Sequence, residues 1–591
     1  MAANDRIRAR LHSTSREAAK YLKGTGVVAP TFLEVYGRVP AEDELRAIVH
    51  KYSAIEWLSF LSRLQTVFAD ERVDDVGCQE AVLRCALSAK FRRAFEQFRK
   101  FSVGKGVRVG LFFERQLATL QQYALMHANC NGLGSLGSEE GRDDLATALL
   151  MTLDLMSPPA DGEAPADNLA IRIQSQIRMS LLCSSVYIGR SLDFYQLDNP
   201  SPSRELQNYL GLFRDLTGHS AEDFVFGGLT VAIVEESHFH NGHFGEWHAV
   251  PNPTKVPKEE QARCVSAFYQ TRCGELDEIR AVAQQRDGSR RVSDWNLIAM
   301  STAPVIKLDE LGYFVLNLTA VGRSLFDGVR YSLIKGAVDG CLGPDWTPQR
   351  LGQLYGDIFE DFAGRVLRHR FGERAVKLDP EGRQRADFAI LCANCVAIVE
   401  IKAEHYLGSE HASFQTVDER REELRRVGLP KAIEQIGHTI DDVRADRVSS
   451  FRAAFPGFAA DWTSFPIVPI FITENRLPQV HGCWQELYEP LLQPLRDRRA
   501  AGPITPLRIL SIDDLEIVPG IGGEYDFGKL CMNWGNDPDF VDAMLWSYLA
   551  ARGIPTDRSF VRRRFVRAAQ LLVDKVGLTL SEGERQILFT S

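Results

Sequence analysis

No stretch of this 591-residue chain is apolar for long enough to cross a bilayer, and its opening, MAANDRIRARLHSTSREAAK, lacks the hydrophobic core of a secretory signal. Asp5 and Glu17 in that opening also argue against an organelle transit peptide. A cytoplasmic protein with no membrane partner is the expectation. Cysteines number 11, an odd count scattered along a long chain, which fits reduced thiols and argues against a disulfide framework. No GxxxxGK[ST] phosphate loop occurs, and no GxGxxG turn follows a strand, so the chain carries no ATP-driven motor of its own. Positive charge is not in surplus either. Against 69 Lys and Arg stand 78 Asp and Glu, a net charge of -9, so any contact with nucleic acid must rest on local basic patches.

What is present is the composition of a soluble globular protein, 45% hydrophobic and 25% charged, in a chain too long for one ordinary core. Four segments are expected. Residues 1–156 read as a helical N-terminal domain, with apolar periodicity through AIEWLSFLSRLQTVF and RQLATLQQYALMHA. Between these lies KFRRAFEQFRKFSVGKGVRVG, whose Arg92, Arg93, Arg99, Lys100 and Lys105 suit a phosphate backbone, while its phenylalanines suit a core. SPPADGEAPAD, from Ser157, reads as a linker. Residues 168–345 read as a mixed α+β domain, with strands at VAIVEE and YFVLNLTAV and a helix at LFDGVRYSLI. A third domain follows over 346–520. The remainder, 521–591, reads as helical and ends in RSFVRRRFVRAAQLLVDK, where Arg562, Arg563, Arg564 and Arg567 are candidates for nucleic-acid contact or for a solvated helix face.

The densest chemistry sits in RADFAILCANCVAIVEIKAEH, residues 385–405. It reads as two buried strands joined by a hairpin through Ala393 and Asn394. Alternation along the second strand puts Glu400 and Lys402 on one face and Ile401 on the other, and the hairpin brings Asp387 back beside Glu400. Two carboxylates then converge beside one lysine in an apolar sheet. Buried charge is costly, and a metal ion, an ion pair or a catalytic task is the usual reason for it. Two carboxylates and a backbone carbonyl suit a hard cation such as Mg²⁺, which keeps several waters. The lysine can offset charge on a phosphate or, with a lowered pKa beside the metal, help position or deprotonate the attacking water. An internal ion-pair cluster is the alternative.

Asp387, the gap, and Glu400-Ile401-Lys402 on a hydrophobic strand resemble the PD-(D/E)xK nuclease superfamily. The surroundings add to the resemblance: a helix at YGDIFEDFAGRVLRHRF with Glu360 beside its apolar stripe, a helix at KAIEQIGHTIDDV with Gln435, and a strand at FPIVPIFIT. The pattern departs from the family's in two places. Ala386 stands where a proline precedes the acid, and no tyrosine follows Gln435 at the spacing some branches show.

The resemblance implies an α/β fold with a restriction-endonuclease-like core of helix, three strands, helix and strand, flanked by mostly helical and mixed domains. It implies Mg²⁺-dependent hydrolysis of nucleic-acid phosphodiesters, DNA favoured, with Mn²⁺ as a substitute ion and a 5′-phosphate product. Asp387, Glu400 and the Ile401 carbonyl would hold the metal, and Lys402 would serve the water and the transition state. Glu360 would join the metal site or orient the lysine, and Gln435 would steady the lysine or a phosphate. A bacterial defence effector against phage or plasmids, triggered by self-association or a partner protein, is the biological expectation. A non-catalytic nucleic-acid binder or scaffold is the alternative. Neither HFHNGHFGEWH, with His238, His240, His243 and His248, nor the lone pair Cys392 and Cys395 has the spacing of a structural zinc site.

Overall fold

Apolar residues at helical spacing dictate most of the chain, and in the computed structural model helices carry them. Described are residues 27–28, 32–69, 87–89, 91–93, 95–96, 100, 108–109, 114–129, 134–156, 184–199, 201–240, 249–256, 258–290, 292, 295, 298–308, 312–378, 385–403, 417–456, 465–474, 477, 484–519, 526–537, 540 and 544–577. They fall into two compact units, one of Met1–Pro348, Glu410–Phe414 and Val561–Ser591, the other of Gln349–Ser409 and Gln415–Phe560. Residues 1–156 and 168–345, expected as separate domains, thus share a unit. The second unit begins within a few residues of the boundary expected at 346 but runs on to Phe560. The linker from Ser157 lies outside the described residues.

In the first unit, helices Ala54–Ala69, Glu114–His127 and Glu139–Leu155 bury Trp57, Leu61, Tyr123 and Leu149 in a common core. Phe91 and Phe95 of the basic segment are buried as well, while its Phe98 and Phe101 lie outside the described residues. Among the described residues this unit has a three-stranded sheet with Val305–Leu308 in the middle, parallel to Cys273–Glu275 and antiparallel to Gly312–Val315. VAIVEE is not a strand. It lies inside the helix Ala221–His240, where Val231, Ala232 and Ile233 are buried, and a short apolar run cannot be told from a strand when a helix is covered on every side. YFVLNLTAV is strand only to Val315. Asn317 then caps a helix, Leu318–Val338, by accepting from the Ala320 N–H at 2.8 Å.

The second unit is built on a five-stranded mixed sheet. Helix α1 (Pro348–Phe371) leads into strands β1 (Ala375–Lys377), β2 (Phe388–Leu391) and β3 (Val396–Lys402). Helices α2 (Val417–Arg426) and α3 (Leu429–Arg444) follow, then β4 (Ile467–Thr473) and β5 (Arg508–Ser511). In space the order is β5-β4-β3-β2-β1, with β1, β2 and β3 antiparallel neighbours and β3, β4 and β5 parallel. The order of helix, three strands, helix and strand read from the sequence is therefore present, with β5 added at one edge. Strands β3 and β4 are buried along almost their whole length, as central strands covered on two faces must be.

Helix α1 packs on β2 through a close approach at Gly364, where an added Cβ would lie 2.5 Å from the tip of the buried Phe388 ring. Gly364→Ala should therefore destabilise the second unit by about 1–3 kcal/mol, read as a lower midpoint of chemical denaturation. An unchanged midpoint would mean that α1 moves away freely.

Candidate active site

The hairpin that joins β2 to β3 sets the site. Cys392 N donates to Cys395 O at 3.0 Å across Ala393 and Asn394, so β2 turns back antiparallel to β3 with Phe388 opposite Val399. One residue beyond that pair the ladder changes character. Asp387 precedes β2, and its Oδ2 accepts the Ile401 N–H at 2.8 Å, so a side-chain carboxylate makes the next rung. In an extended strand a residue's N–H and C=O point to the same edge, which turns the Ile401 carbonyl toward Asp387. Alternation sends Glu400 and Lys402 to one face, where the Lys402 stem lies against Gly428, the left-handed residue that starts α3.

Glu400 is fully buried. One of its oxygens meets the Lys402 ammonium, and the other, Oε2, is buried without a partner. Burial, then the neighbouring Asp387, push the Glu400 carboxyl up to about 8 against the pull of Lys402. Burial, then Glu360, push Asp387 up to about 7. Burial alone would draw Lys402 down, but Glu400, Asp387 and Glu360 outweigh it and hold the ammonium above its ordinary range. Without a bound ion the protein thus keeps Lys402 as a cation.

Glu360 reaches the cluster from α1, but its carboxylate is engaged by Lys377 of β1 at 2.8 Å. Lys377 is a cation that the sequence reading missed; only its place on the edge strand opposite Phe388 brings it near Asp387. Gln435 does not reach toward Lys402 for its hydrogen bond: its Nε2 donates to the Arg385 carbonyl at 3.2 Å. Also missed were Tyr355 and Glu474, a buried pair at 2.8 Å just past the Thr473 that lies in register with Lys402.

Two carboxylates, one of them with an orphaned buried oxygen, and a strand carbonyl are oxygen donors of the kind a hard divalent cation takes. The other candidates divide. Cys392 and Cys395 are buried; the Cys395 hydrogen bond and burial hold Cys392 in its thiol form, and Cys531, a third cysteine not visible from spacing, adds to this. His243 and His248 lie outside the described residues, as do Arg99 and Lys105. In the helix Ser559–Val576, Arg564 is buried against Asp193 and Arg567 pairs with Asp198, while Arg562 and Arg563 are exposed. The buried arginine is a structural cation, so the surface offered by this helix is narrower than the sequence suggested.

No family model, no curated protein and no solved structure matches this chain.

The raised carboxyls give a signed dependence of stability on pH. Their protons are held more tightly folded than unfolded, so these groups cost nothing below about pH 4, and stability falls as pH rises toward 7 to 8. Glu400→Gln should remove its share, on the order of 5 kcal/mol at most, so its stability relative to wild type should grow with pH across that window. A difference that stays constant from pH 5 to pH 8, measured by urea denaturation without divalent ions, would contradict the raised value.

Proposed function

We propose that this protein is a metal-dependent nuclease that hydrolyses nucleic-acid phosphodiesters, DNA before RNA. The observation that carries the reading is the unpartnered, buried Glu400 Oε2 beside Asp387, with a charged lysine two residues along the same strand. An ion pair built only for stability would leave no carboxylate oxygen orphaned, because an unsatisfied buried acceptor costs about 1–3 kcal/mol. The resemblance to PD-(D/E)xK nucleases supports the same conclusion, with Asp387 just before β2 and Glu400 and Lys402 on β3.

Asp387 and Glu400, with the Ile401 carbonyl, would hold Mg²⁺ or Mn²⁺. The bound cation would supply Lewis-acid polarisation of a phosphate oxygen and acidify its water. Lys402, held protonated, offsets charge that develops on the scissile phosphate and leaves the Glu400 Oε2 side to the metal. Glu360 fixes Lys377 at the rim of the site, which adds a second cation for the substrate backbone. Exposed Arg562 and Arg563 offer sequence-independent affinity. A cytoplasmic defence role against invading DNA, under control of a partner or of self-association, follows from the family resemblance alone.

Wild type should cut DNA or RNA with Mg²⁺ or Mn²⁺. Asp387→Ala and Glu400→Ala should each abolish cutting and weaken divalent-ion binding with the fold retained. Lys402→Ala should abolish cutting yet keep ion binding, so affinity and activity separate at this residue only. An active Glu400→Ala variant would rule the assignment out, whereas ion binding without cleavage under any condition would favour a non-catalytic nucleic-acid binder.

For the helix arginines, the double variant Arg562→Gln with Arg563→Gln should reduce the slope of log Kd for DNA against log salt by about 2. A slope equal to that of wild type would make this helix a plain solvated face.

A further inference from the structure

Asp387 stands outside the regular ladder, and yet its carboxylate must keep its place beside Glu400. On one side it is tied to the sheet: its carbonyl accepts from Leu378 N at 2.9 Å and its Oδ2 from Ile401 N. On the other side, the two residues before it are gripped by helix α3. Arg385 O accepts from Gln435 Nε2 at 3.2 Å, Ala386 N donates to Thr439 Oγ1 at 2.7 Å, and Arg385 Nε donates to Asp442 Oδ2 at 3.0 Å. Gln435, Thr439 and Asp442 recur at i, i+4 and i+7, so they form one stripe on the helix, and all three are buried. The Thr439 hydroxyl also donates to the Gln435 carbonyl at 2.8 Å, and the Arg385 guanidinium reaches the Arg447 carbonyl at 3.2 Å.

A buried polar stripe of this kind adds little stability over apolar packing of equal volume. What it supplies is geometry. We infer that Gln435, Thr439 and Asp442 are a clamp through which α3 fixes the Asp387 carboxylate, and that they thereby set the affinity of the site for its divalent cation. The inference rests on the proposed metal role of Asp387 and Glu400. None of the three touches the reacting atoms, so they are positioning residues. The donor at 386 matters: a proline there would have no N–H to give, and a hydrogen bond to the helix does here what a locked φ would otherwise do.

Partners standing behind a metal's direct ligands typically change affinity 10- to 100-fold when lost. The test uses the full chain and Mn²⁺ alone as probe, with free ion counted by electron paramagnetic resonance and folding followed by thermal denaturation. Thr439→Val keeps the shape and removes the hydroxyl, and it should weaken Mn²⁺ binding about tenfold, whereas Thr439→Ser should bind as wild type does. In cleavage, the Mn²⁺ concentration for half-maximal rate should rise with the saturated rate nearly unchanged. Asp442→Asn acts on Arg385 independently, so the question is still answered should the valine variant fail to fold, and a several-fold loss is expected. A wild type that binds no Mn²⁺ overturns the nuclease reading and the clamp with it. A wild type that binds, alongside folded Thr439→Val and Asp442→Asn that bind equally well, overturns the clamp alone, as does a Thr439→Ser loss as large as that of valine.

Discussion

Everything in the second unit is arranged around one costly group, the carboxyl of Glu400 in the middle strand of a five-stranded sheet. β3 lies between β2 and β4, and Glu400 on it is buried completely. An isolated charge in such a place is unaffordable, so the protein either keeps the acid protonated or surrounds it with cations. It does both in part: the carboxyl is held neutral up to about 8, and Lys402 leans on one of its oxygens. The second oxygen is left for something that the folded chain does not itself provide.

That constraint explains the features around it. A second acid beside the first would be intolerable if both had to ionise, yet Asp387 is held so close that its carboxylate replaces a backbone rung of the sheet. Two acids with raised values beside a lysine kept charged would give up protons to the proposed cation, which would couple its binding to pH. The lysine's state also narrows its chemistry. In the protein without a bound ion, a protonated ammonium stabilises anions and does not take protons.

The two helices that bear on the site contribute differently. Helix α1 approaches β2 closely through Gly364 and brings Glu360 to Lys377, which places a compensated ion pair at the open side of the cluster. Helix α3 contributes no charge to the cluster. Its Gly428 start lies against the Lys402 stem, and its Gln435, Thr439 and Asp442 hold the approach to Asp387. Charge therefore enters from the strands and from α1, and rigidity from α3.

The strand periods and the position of each acid were legible in the sequence. RADFAILCANCVAIVEIKAEH states its own hairpin, and alternation alone pairs Glu400 with Lys402, because both follow from local geometry with a period of two. The long helices were legible for the same reason, through apolar spacing near 3.6 residues. What lay beyond reach depended on contacts between residues far apart in the chain. VAIVEE became helix because neighbouring elements cover it, Arg564 became an internal cation because Asp193 meets it, and Lys377 joined the site because β1 lies beside β2. Gln435, read as a partner of Lys402 or a phosphate, instead holds Arg385. Side-chain type and strand register are properties of a few consecutive residues. Which of two apolar conformations is covered, and which charge finds which counter-charge, is decided only when the tertiary structure brings distant segments within a few ångströms.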